Sequence, residues 1–271
     1  MLTIGKAVFL GVLQGVTEWL PISSSGHLVI AQHFLKLGEQ ISFDLLIHLG
    51  TLFVVLFIFW KDISRIWLAL LSYFHNPKQS FLSDPYRRLF VIILVGSVPT
   101  AVIGLLLRDQ IERAFNNLLM VGIAYIITAV ILFATKYTNP HKNIRDLSYI
   151  DALIIGTFQG LAIFPGVSRS GTTISAGLLR GVDRDLAARI SFLMFIPAIA
   201  GAVILNAASF TITKNEVVPM LSGLFAAIVV SYIFIEILLA LVRRRKFYYF
   251  AYYCFVLGVI LLVYVALQPH H

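Results

Sequence analysis

Six stretches of the chain are apolar over the length of a membrane-crossing helix, and short polar segments separate them. A helix needs about 20 predominantly apolar residues to cross the hydrocarbon core of a bilayer. The pattern therefore predicts an all-α polytopic membrane protein with six transmembrane helices. These stretches cover residues 43–60, 89–107, 117–136, 188–208, 217–242 and 247–267.

Two further apolar regions, residues 3–36 and 149–179, are interrupted near the middle by Pro, Gly, Ser and charged residues. Irregular backbone is tolerated at membrane depth only where protein or a watery cavity covers it. We therefore predict that each region is a re-entrant helix hairpin, which enters and leaves the bilayer on the same side. Residues 62–74 have the pattern of an amphipathic helix, which we expect at the membrane interface.

The composition is also that of a membrane protein. The chain has 271 residues, of which 59% are hydrophobic and 13% charged, whereas soluble domains carry roughly a quarter charged residues. A formal net charge of +8 would fit a nucleic-acid partner, but the basic residues lie in short loops between apolar stretches. We therefore expect no nucleic-acid partner. The single cysteine, Cys254, cannot form an intramolecular disulfide, and burial explains it.

The distribution of basic residues predicts how the chain is oriented. The positive-inside rule places strongly basic loops in the cytoplasm of an inner-membrane protein. With six crossings, both termini then lie outside, the first hairpin enters from the outer side and the second from the cytoplasm. The strongly basic segments are residues 61–88, 136–150, 180–189 and 243–246.

The two interrupted regions resemble each other. A shift of 145 residues aligns them without gaps and gives six identities within 16 residues. Because three crossings lie between them, the second copy is inverted, and sites in such folds lie where broken helices meet near the bilayer midplane. We predict one integral membrane domain, residues 1–271, with repeats at about 3–136 and about 149–267. Close packing alone would also require small residues, but it leaves the charged residues in the breaks unexplained.

The first break contains residues suited to catalysis. Gln14 and Glu18 are four residues apart and therefore share one face of a helix. A carboxylate inside an apolar hairpin is costly to bury and is a functional candidate by default. Glu18 could orient a nucleophile, accept a proton or bind a divalent cation. Alternatively, it only pairs with Arg169 and holds the two hairpins together.

Serine and histidine residues follow in the same break. Pro21 ends the first half-helix, and the serines at residues 23–25 can cap the next one, whose free N–H groups suit phosphate. Ser24 lies one turn before His27, which is the pattern of an activated nucleophile. Isolated serines are more often caps, and isolated histidines are more often ordinary polar residues. His48, inside the first span, is a further candidate to line the cavity.

The second break supplies basic and hydroxyl groups. Arg169 is the only basic residue within the two breaks, and its planar guanidinium matches two phosphate oxygens. In the repeat alignment Arg169 corresponds to Ser24. One copy would thus provide the nucleophile and proton carrier and the other the phosphate clamp, a division that a symmetric transporter does not need. The hydroxyl residues beside the arginine are Ser168, Ser170, Thr172 and Thr173.

At these residues the chain resembles the undecaprenyl-diphosphate phosphatase family of bacteria, also called the bacitracin resistance protein family. The resemblance extends over nearly the whole chain and rests on two motifs. The first is Glu/Gln-x-x-x-Glu followed by Pro-x-Ser-Ser-x-Gly-His, at residues 14–27, and the second is Pro-Gly-x-Ser-Arg-Ser-x-x-Thr, at residues 165–173. The resemblance implies removal of the terminal phosphate of undecaprenyl diphosphate, which recycles the carrier lipid of peptidoglycan synthesis and confers bacitracin resistance.

The resemblance also implies a cofactor and a location. It implies a divalent cation, Mg²⁺ or Ca²⁺, with Glu18 and Gln14 as ligands, and an active site open to the periplasm or outside of the bacterial inner membrane. Many members have Glu in place of Gln14, so a cation site with two carboxylates in this motif is weakened here. Transferred position by position, the functional residues are Gln14, Glu18, Ser23, Ser24, His27, Ser168, Arg169, Ser170 and Thr173.

These residues predict a mechanism. Ser24 attacks the terminal phosphorus, His27 transfers protons, and Glu18 orients either of them. Arg169 stabilises the phosphoryl oxygens, and water then hydrolyses the phosphoenzyme; in a variant, His27 is the nucleophile. The alternative function is a transporter or flippase of an anionic lipid, which an inverted repeat fits equally well. A non-catalytic scaffold leaves the buried charges unexplained. The oligomeric state is open, with a homodimer as one arrangement.

Overall fold

The computed structural model describes residues 1–38, 40–75, 80–207 and 210–268, and this part of the chain is helical, without a β-strand. Six helices in it are long and apolar enough to cross a membrane, which confirms the predicted class and number. The α-helices are α1 (Ile4–Thr17), α2 (Ser24–Phe34), α3 (Ile41–Ile58), α4 (Trp60–His75), α5 (Pro85–Leu106), α6 (Arg108–Phe115), α7 (Leu118–Ala134), α8 (Tyr149–Leu161), α9 (Arg169–Leu179), α10 (Arg184–Asn206), α11 (Val217–Arg243) and α12 (Phe250–Ala266).

Each interrupted region forms two short helices with a break between them. Helices α1 and α2 flank residues 18–23, and helices α8 and α9 flank residues 162–168. The corresponding helices of the two regions begin 145 residues apart, which is the offset of the sequence alignment. The predicted interruptions are therefore confirmed, while the re-entrant path and the division into two repeats stay predictions.

Backbone geometry explains why the helices stop at the breaks. Pro21 and Pro165 each lack the N–H group that a continuing helix needs. Ser23 has a φ of 65° and Gly166 a φ of 96°, values in the left-handed region that a helix does not use. Glycine adopts this region freely, whereas Ser23 is held there by the contacts of its side chain described below.

The first helix of each interrupted region packs on a spanning helix from the other half of the chain. Helix α1 packs against α11, and α8 packs against α5. Glycines make both approaches possible: a Cβ added at Gly11 would overlap the carbonyl oxygen of Gly223, and one at Gly156 would overlap that of Gly96. Small residues of this kind allow helices in membranes to pack backbone against backbone. Helix α7 packs against α12 and α3 against α10, so the halves interlock.

Two short amphipathic helices lie between the spanning ones. Helix α4 coincides with the predicted amphipathic segment and exposes Trp67, Leu68 and Phe74, as an interfacial helix would. Helix α6 was not predicted. It is eight residues long and strongly polar, and the sequence pattern indicated only a loop between two spans. Its buried residues are Ile111 and Ala114.

We predict that Gly156→Ala destabilises the protein, because the added methyl group must push α8 away from α5. Overpacking of a tight contact typically costs about 1–3 kcal/mol. Thermal unfolding of the purified protein in detergent measures this loss. Gly201→Ala is the matched control, since a Cβ there meets nothing within 4 Å, and it should leave the unfolding temperature unchanged or raise it slightly. Equal unfolding temperatures for the two variants would contradict the close-packing argument.

Candidate active site

The Glu18 carboxylate lies in the first break and accepts hydrogen bonds from three side chains. Its Oε2 atom accepts from Ser24 Oγ at 2.5 Å and from Gln14 Nε2 at 2.9 Å. Its Oε1 atom accepts from Arg169 Nη2 at 2.8 Å, and His48 Nε2 lies 3.6 Å from Oε2. Glu18 is only 6% exposed. The structure therefore brings together four predicted site residues, and it also contains the ion pair that a purely structural interpretation requires.

The positions of these side chains follow from the helix ends. Gln14 is in the last turn of α1, Ser24 is the first residue of α2, and Arg169 is the first residue of α9. The N-termini of α2 and α9 thus meet at the Glu18 carboxylate. A helix N-terminus carries a partial positive charge and free N–H groups, so two of them at one point favour an anionic group.

Serine caps join the two breaks. Ser23 Oγ accepts a hydrogen bond from Gly26 N at 3.2 Å and another from Gly166 N, in the opposite break, at 3.0 Å. Ser168 Oγ accepts from Gly171 N at 3.0 Å. The prediction that a serine of residues 23–25 caps the second half-helix of the first region is confirmed by Ser23, and Ser168 is the corresponding cap in the second region. Both hydroxyl oxygens already accept hydrogen bonds from backbone N–H groups. Their role in substrate binding stays a prediction.

Two further hydroxyl residues of the second motif, Ser170 and Thr173, also contact the backbone. Ser170 Oγ donates to Leu20 O at 3.4 Å. Thr173 Oγ1 donates to Arg169 O at 2.7 Å and lies 2.6 Å from Ser191 Oγ. Ser191 is on α10 and was not predicted from the sequence. These contacts hold the first turn of α9, and thereby the backbone of the arginine, in place.

The Arg169 guanidinium is enclosed but only partly hydrogen-bonded. It lies 4.0 Å from the centroid of the Phe195 ring and 5.9 Å from that of Trp19, and Nη1 donates to Ser191 O at 3.5 Å. Its Nε atom is buried and has no hydrogen-bond partner among the described residues; the same holds for Gln14 Oε1. Buried unpaired polar atoms are costly. The Arg169 donor is thus available to an anion, and the Gln14 oxygen is available to a cation or a hydrogen-bond donor.

His27 points towards two tyrosines. Its Nδ1 lies 2.7 Å from Ser23 O and 2.8 Å from Tyr125 Oη. Since a carbonyl oxygen can only accept, Nδ1 carries the hydrogen, and in the neutral imidazole Nε2 accepts from Tyr253 Oη at 2.7 Å. In the part of the chain described, His27 makes no hydrogen bond with Ser24. The predicted serine–histidine contact is therefore absent from this arrangement, although the two residues share the first turn of α2.

Sequence reasoning missed three polar residues near the site. Tyr125, Tyr253 and Ser191 lie on spanning helices α7, α12 and α10, far along the chain from the motifs that they contact. The available signal was a hydroxyl group within an apolar stretch, which is too common to identify a site. His48, by contrast, was a candidate from the sequence and lies beside the Glu18 carboxylate, while its role in lining the cavity stays a prediction.

A carboxylate, a serine hydroxyl and a partly unpaired guanidinium lie together at two helix N-termini, within a bundle of apolar spanning helices. This is a candidate site for an anionic group in a membrane protein. The comparison with known families gives the same class of protein. The family model described as bacitracin resistance protein BacA matches residues 7–260, and the chain belongs to this family. The predicted family is confirmed.

Three relatives that match nearly the full length of the chain are each named undecaprenyl-diphosphatase. The chain is 44% identical to the undecaprenyl-diphosphatase of Desulforapulum autotrophicum, over 95% of this chain and 97% of that protein. It is 41% identical to the undecaprenyl-diphosphatase of Carboxydothermus hydrogenoformans, over 95% and 96%. An undecaprenyl-diphosphatase of Methanosphaera stadtmanae is 37% identical, over 97% and 98%.

We predict that Arg169→Lys lowers kcat/KM for a polyprenyl diphosphate on the order of 10²-fold, the usual cost of removing one donor that stabilises transition-state charge. Lysine keeps the charge opposite Glu18 but loses the planar fork and the Nε donor. Phosphate release by the purified variant measures the loss. Arg108→Lys, at an exposed position, is the matched control and should keep full activity. Full activity of the Arg169 variant would exclude a bidentate clamp.

We predict that Tyr253→Phe lowers kcat by about 2- to 10-fold, the range expected when one hydrogen bond is lost. The change removes the hydroxyl group that holds His27 Nε2 but keeps the aromatic ring. The adjacent, exposed Tyr252 provides the control, Tyr252→Phe, which should keep full activity. Separate kcat and KM values and the unfolding temperature should be measured for both. A loss of stability with unchanged kcat would show that Tyr253 is structural only.

Proposed function

We propose that this chain hydrolyses undecaprenyl diphosphate to undecaprenyl phosphate and inorganic phosphate. Its family and its full-length relatives, which carry the name undecaprenyl-diphosphatase, support this activity. The main structural support is the Ser24 hydroxyl, which donates at 2.5 Å to the carboxylate that also pairs with Arg169. The chain is thus a membrane phosphatase that acts on a phosphoanhydride bond, and transport of an anionic lipid is the less favoured alternative.

The first step follows from the Ser24–Glu18 contact. Ser24 Oγ attacks the terminal phosphorus while its proton moves to Glu18 Oε2, 2.5 Å away. The bond between that phosphorus and the bridging oxygen breaks, and undecaprenyl phosphate leaves with the electron pair. Glu18 is then neutral, which weakens its attraction for Arg169. This attraction weakens as the proton moves, so the guanidinium, with its unpaired Nε, can already bind the phosphoryl oxygens in the transition state.

The second step is hydrolysis of the phosphoserine. A water molecule attacks the phosphorus, and Ser24 leaves with the proton that Glu18 holds. His27 is our candidate for the group that accepts the proton of the attacking water, because its Nε2 atom is a hydrogen-bond acceptor in the neutral imidazole. The variant with His27 as the nucleophile has less structural support, since Ser24 is the hydroxyl group on the carboxylate.

Two residues are our candidates for holding a divalent cation. Gln14 Oε1 is a buried oxygen without a hydrogen-bond partner among the described residues, and it lies on the same helix face as Glu18. Oxygen ligands are what Mg²⁺ and Ca²⁺ prefer, so Gln14 Oε1 fits such an ion directly. The Glu18 oxygens, which accept from three side chains, would have to exchange one of these hydrogen bonds for the ion, which would neutralise phosphate charge when bound. Within the described ranges no group of three or more His, Cys, Asp or Glu could hold a metal ion.

We also propose a location and an orientation. The basic loops support a bacterial inner-membrane protein with both termini outside and the site accessible from the periplasm or outer face. The six long apolar helices support the multi-pass arrangement. A homodimer stays a proposal. The contacts of Glu18 with Ser24 and Arg169 are complete within one chain, so the site itself needs no second copy.

We predict that the detergent-solubilised protein releases phosphate from undecaprenyl diphosphate and that Ser24→Ala lowers the rate on the order of 10³-fold or more, as loss of a nucleophile does. A chelator should lower the wild-type rate, and added Mg²⁺ or Ca²⁺ should restore it. Ser222→Ala, at a half-buried position on α11 where the hydroxyl group donates to Val218 O, is the matched control and should keep full activity. No phosphate release by the wild type would favour the transport alternative.

Trapping and mapping the phosphoenzyme identifies the nucleophile in the same preparation. Phosphate on Ser24 supports the mechanism above. Phosphate on His27 would replace it by the histidine variant, and labelling of neither residue would indicate direct attack by water.

A further inference from the structure

An apolar cavity of about 470 Å³ lies beside the candidate site. Leu13 and Val16 on α1 and Leu20 in the first break form one wall, and the start of α12 forms the opposite wall. Helix α1 packs on α11, whereas α12 packs on α7, so the cavity is the gap between two separately packed helix pairs. Its lining is apolar except at one end.

The polar end of this cavity belongs to the candidate site. His27 lines it, and the Tyr253 hydroxyl that bonds His27 Nε2 lies on the opposite wall. His27 is in the first turn of α2, which begins with Ser24. Thr17, the residue before Glu18, also lines the cavity. The cavity is therefore continuous with the first break, and a molecule lying in it would have its polar end at the candidate nucleophile.

The cavity is open to the surface of the helix bundle on the side of α12. Tyr249 and Tyr253 line it and are 54% and 46% exposed, on a helix that is long and apolar enough to cross a membrane. An exposed apolar surface on a spanning helix is suited to contact with lipid, which would let an apolar molecule enter sideways without passing through water.

We propose that this cavity binds the isoprene units next to the diphosphate, with the rest of the polyprenyl chain remaining in the bilayer. The inference rests on the proposed function, which supplies a substrate that is apolar at one end and anionic at the other. Sites for small molecules typically measure roughly 300–1,000 Å³ and are mostly apolar with a few polar groups. The cavity fits that description, and its one imidazole lies at the end where the diphosphate would be.

A bulky side chain placed in the cavity tests this proposal. Val16→Trp should fill the space between α1 and α12, and Val12→Trp, on the exposed face of the same helix, is the matched control. The indole ring would displace part of the longer farnesyl tail from the cavity. If two methylene groups of that tail are no longer buried, the affinity falls about 10-fold. The ratio of kcat/KM for farnesyl diphosphate to that for dimethylallyl diphosphate should therefore fall about 10-fold in Val16→Trp and stay unchanged in Val12→Trp.

A photoreactive farnesyl diphosphate analogue locates the tail directly in the wild-type protein, and it remains decisive if Val16→Trp does not fold. Labelled peptides should come from residues 13–22 and 249–253, and excess farnesyl diphosphate should suppress the labelling. Suppression by phosphatidylglycerol to the same extent would assign the cavity to bilayer lipid and overturn the proposal.

The outcomes separate this proposal from the proposed function. If the wild type releases phosphate but the substrate ratio of Val16→Trp equals that of Val12→Trp, or the label lies elsewhere, the cavity is not the tail site and the phosphatase function stands. If the wild type releases no phosphate from either substrate, the function itself fails.

Discussion

A charged carboxylate inside an apolar helix bundle is the constraint on which the arrangement of this protein depends. An ionised group out of water is tolerated only when it is paired and hydrogen-bonded. The partners of Glu18 come from three separate elements, with Gln14 on α1, Ser24 on α2 and Arg169 on α9. Satisfying one buried charge therefore requires that both breaks meet at one point, and the meeting point is where the polar chemistry of the chain is concentrated.

Backbone packing makes this meeting point rigid. The glycine contacts between α1 and α11 and between α8 and α5 bring helix backbones together without side chains between them. Side-chain substitutions elsewhere can be absorbed by repacking, but a backbone contact cannot relax in that way. The short helices next to the breaks are thus positioned by the long helices of the opposite half, and a displacement of either half would separate the guanidinium from the carboxylate.

The sequence was informative wherever the signal was local. Six apolar stretches predicted six spanning helices, and Pro21 with its neighbouring serines predicted both a break and a helix cap. Pairing across the chain was harder to predict. The ion pair of Glu18 with Arg169 was foreseen only because both are costly to bury, whereas the contacts of His27 with Tyr125 and Tyr253 join residues roughly 100 and 226 positions apart. An isolated tyrosine in an apolar helix has no local pattern that distinguishes it from a residue at the membrane interface.

The shared Ser23 hydroxyl has a consequence for interpreting inactive variants. It accepts from the backbone of its own helix and from the backbone of the opposite break, so its removal would release two main-chain amides in a buried place. A mutational screen that records only activity would classify Ser23 as catalytic. Its contacts, however, are those of a structural residue that connects two backbone segments. The candidate nucleophile Ser24 and the architectural Ser23 are neighbours in the chain, and the partners of each hydroxyl group distinguish them.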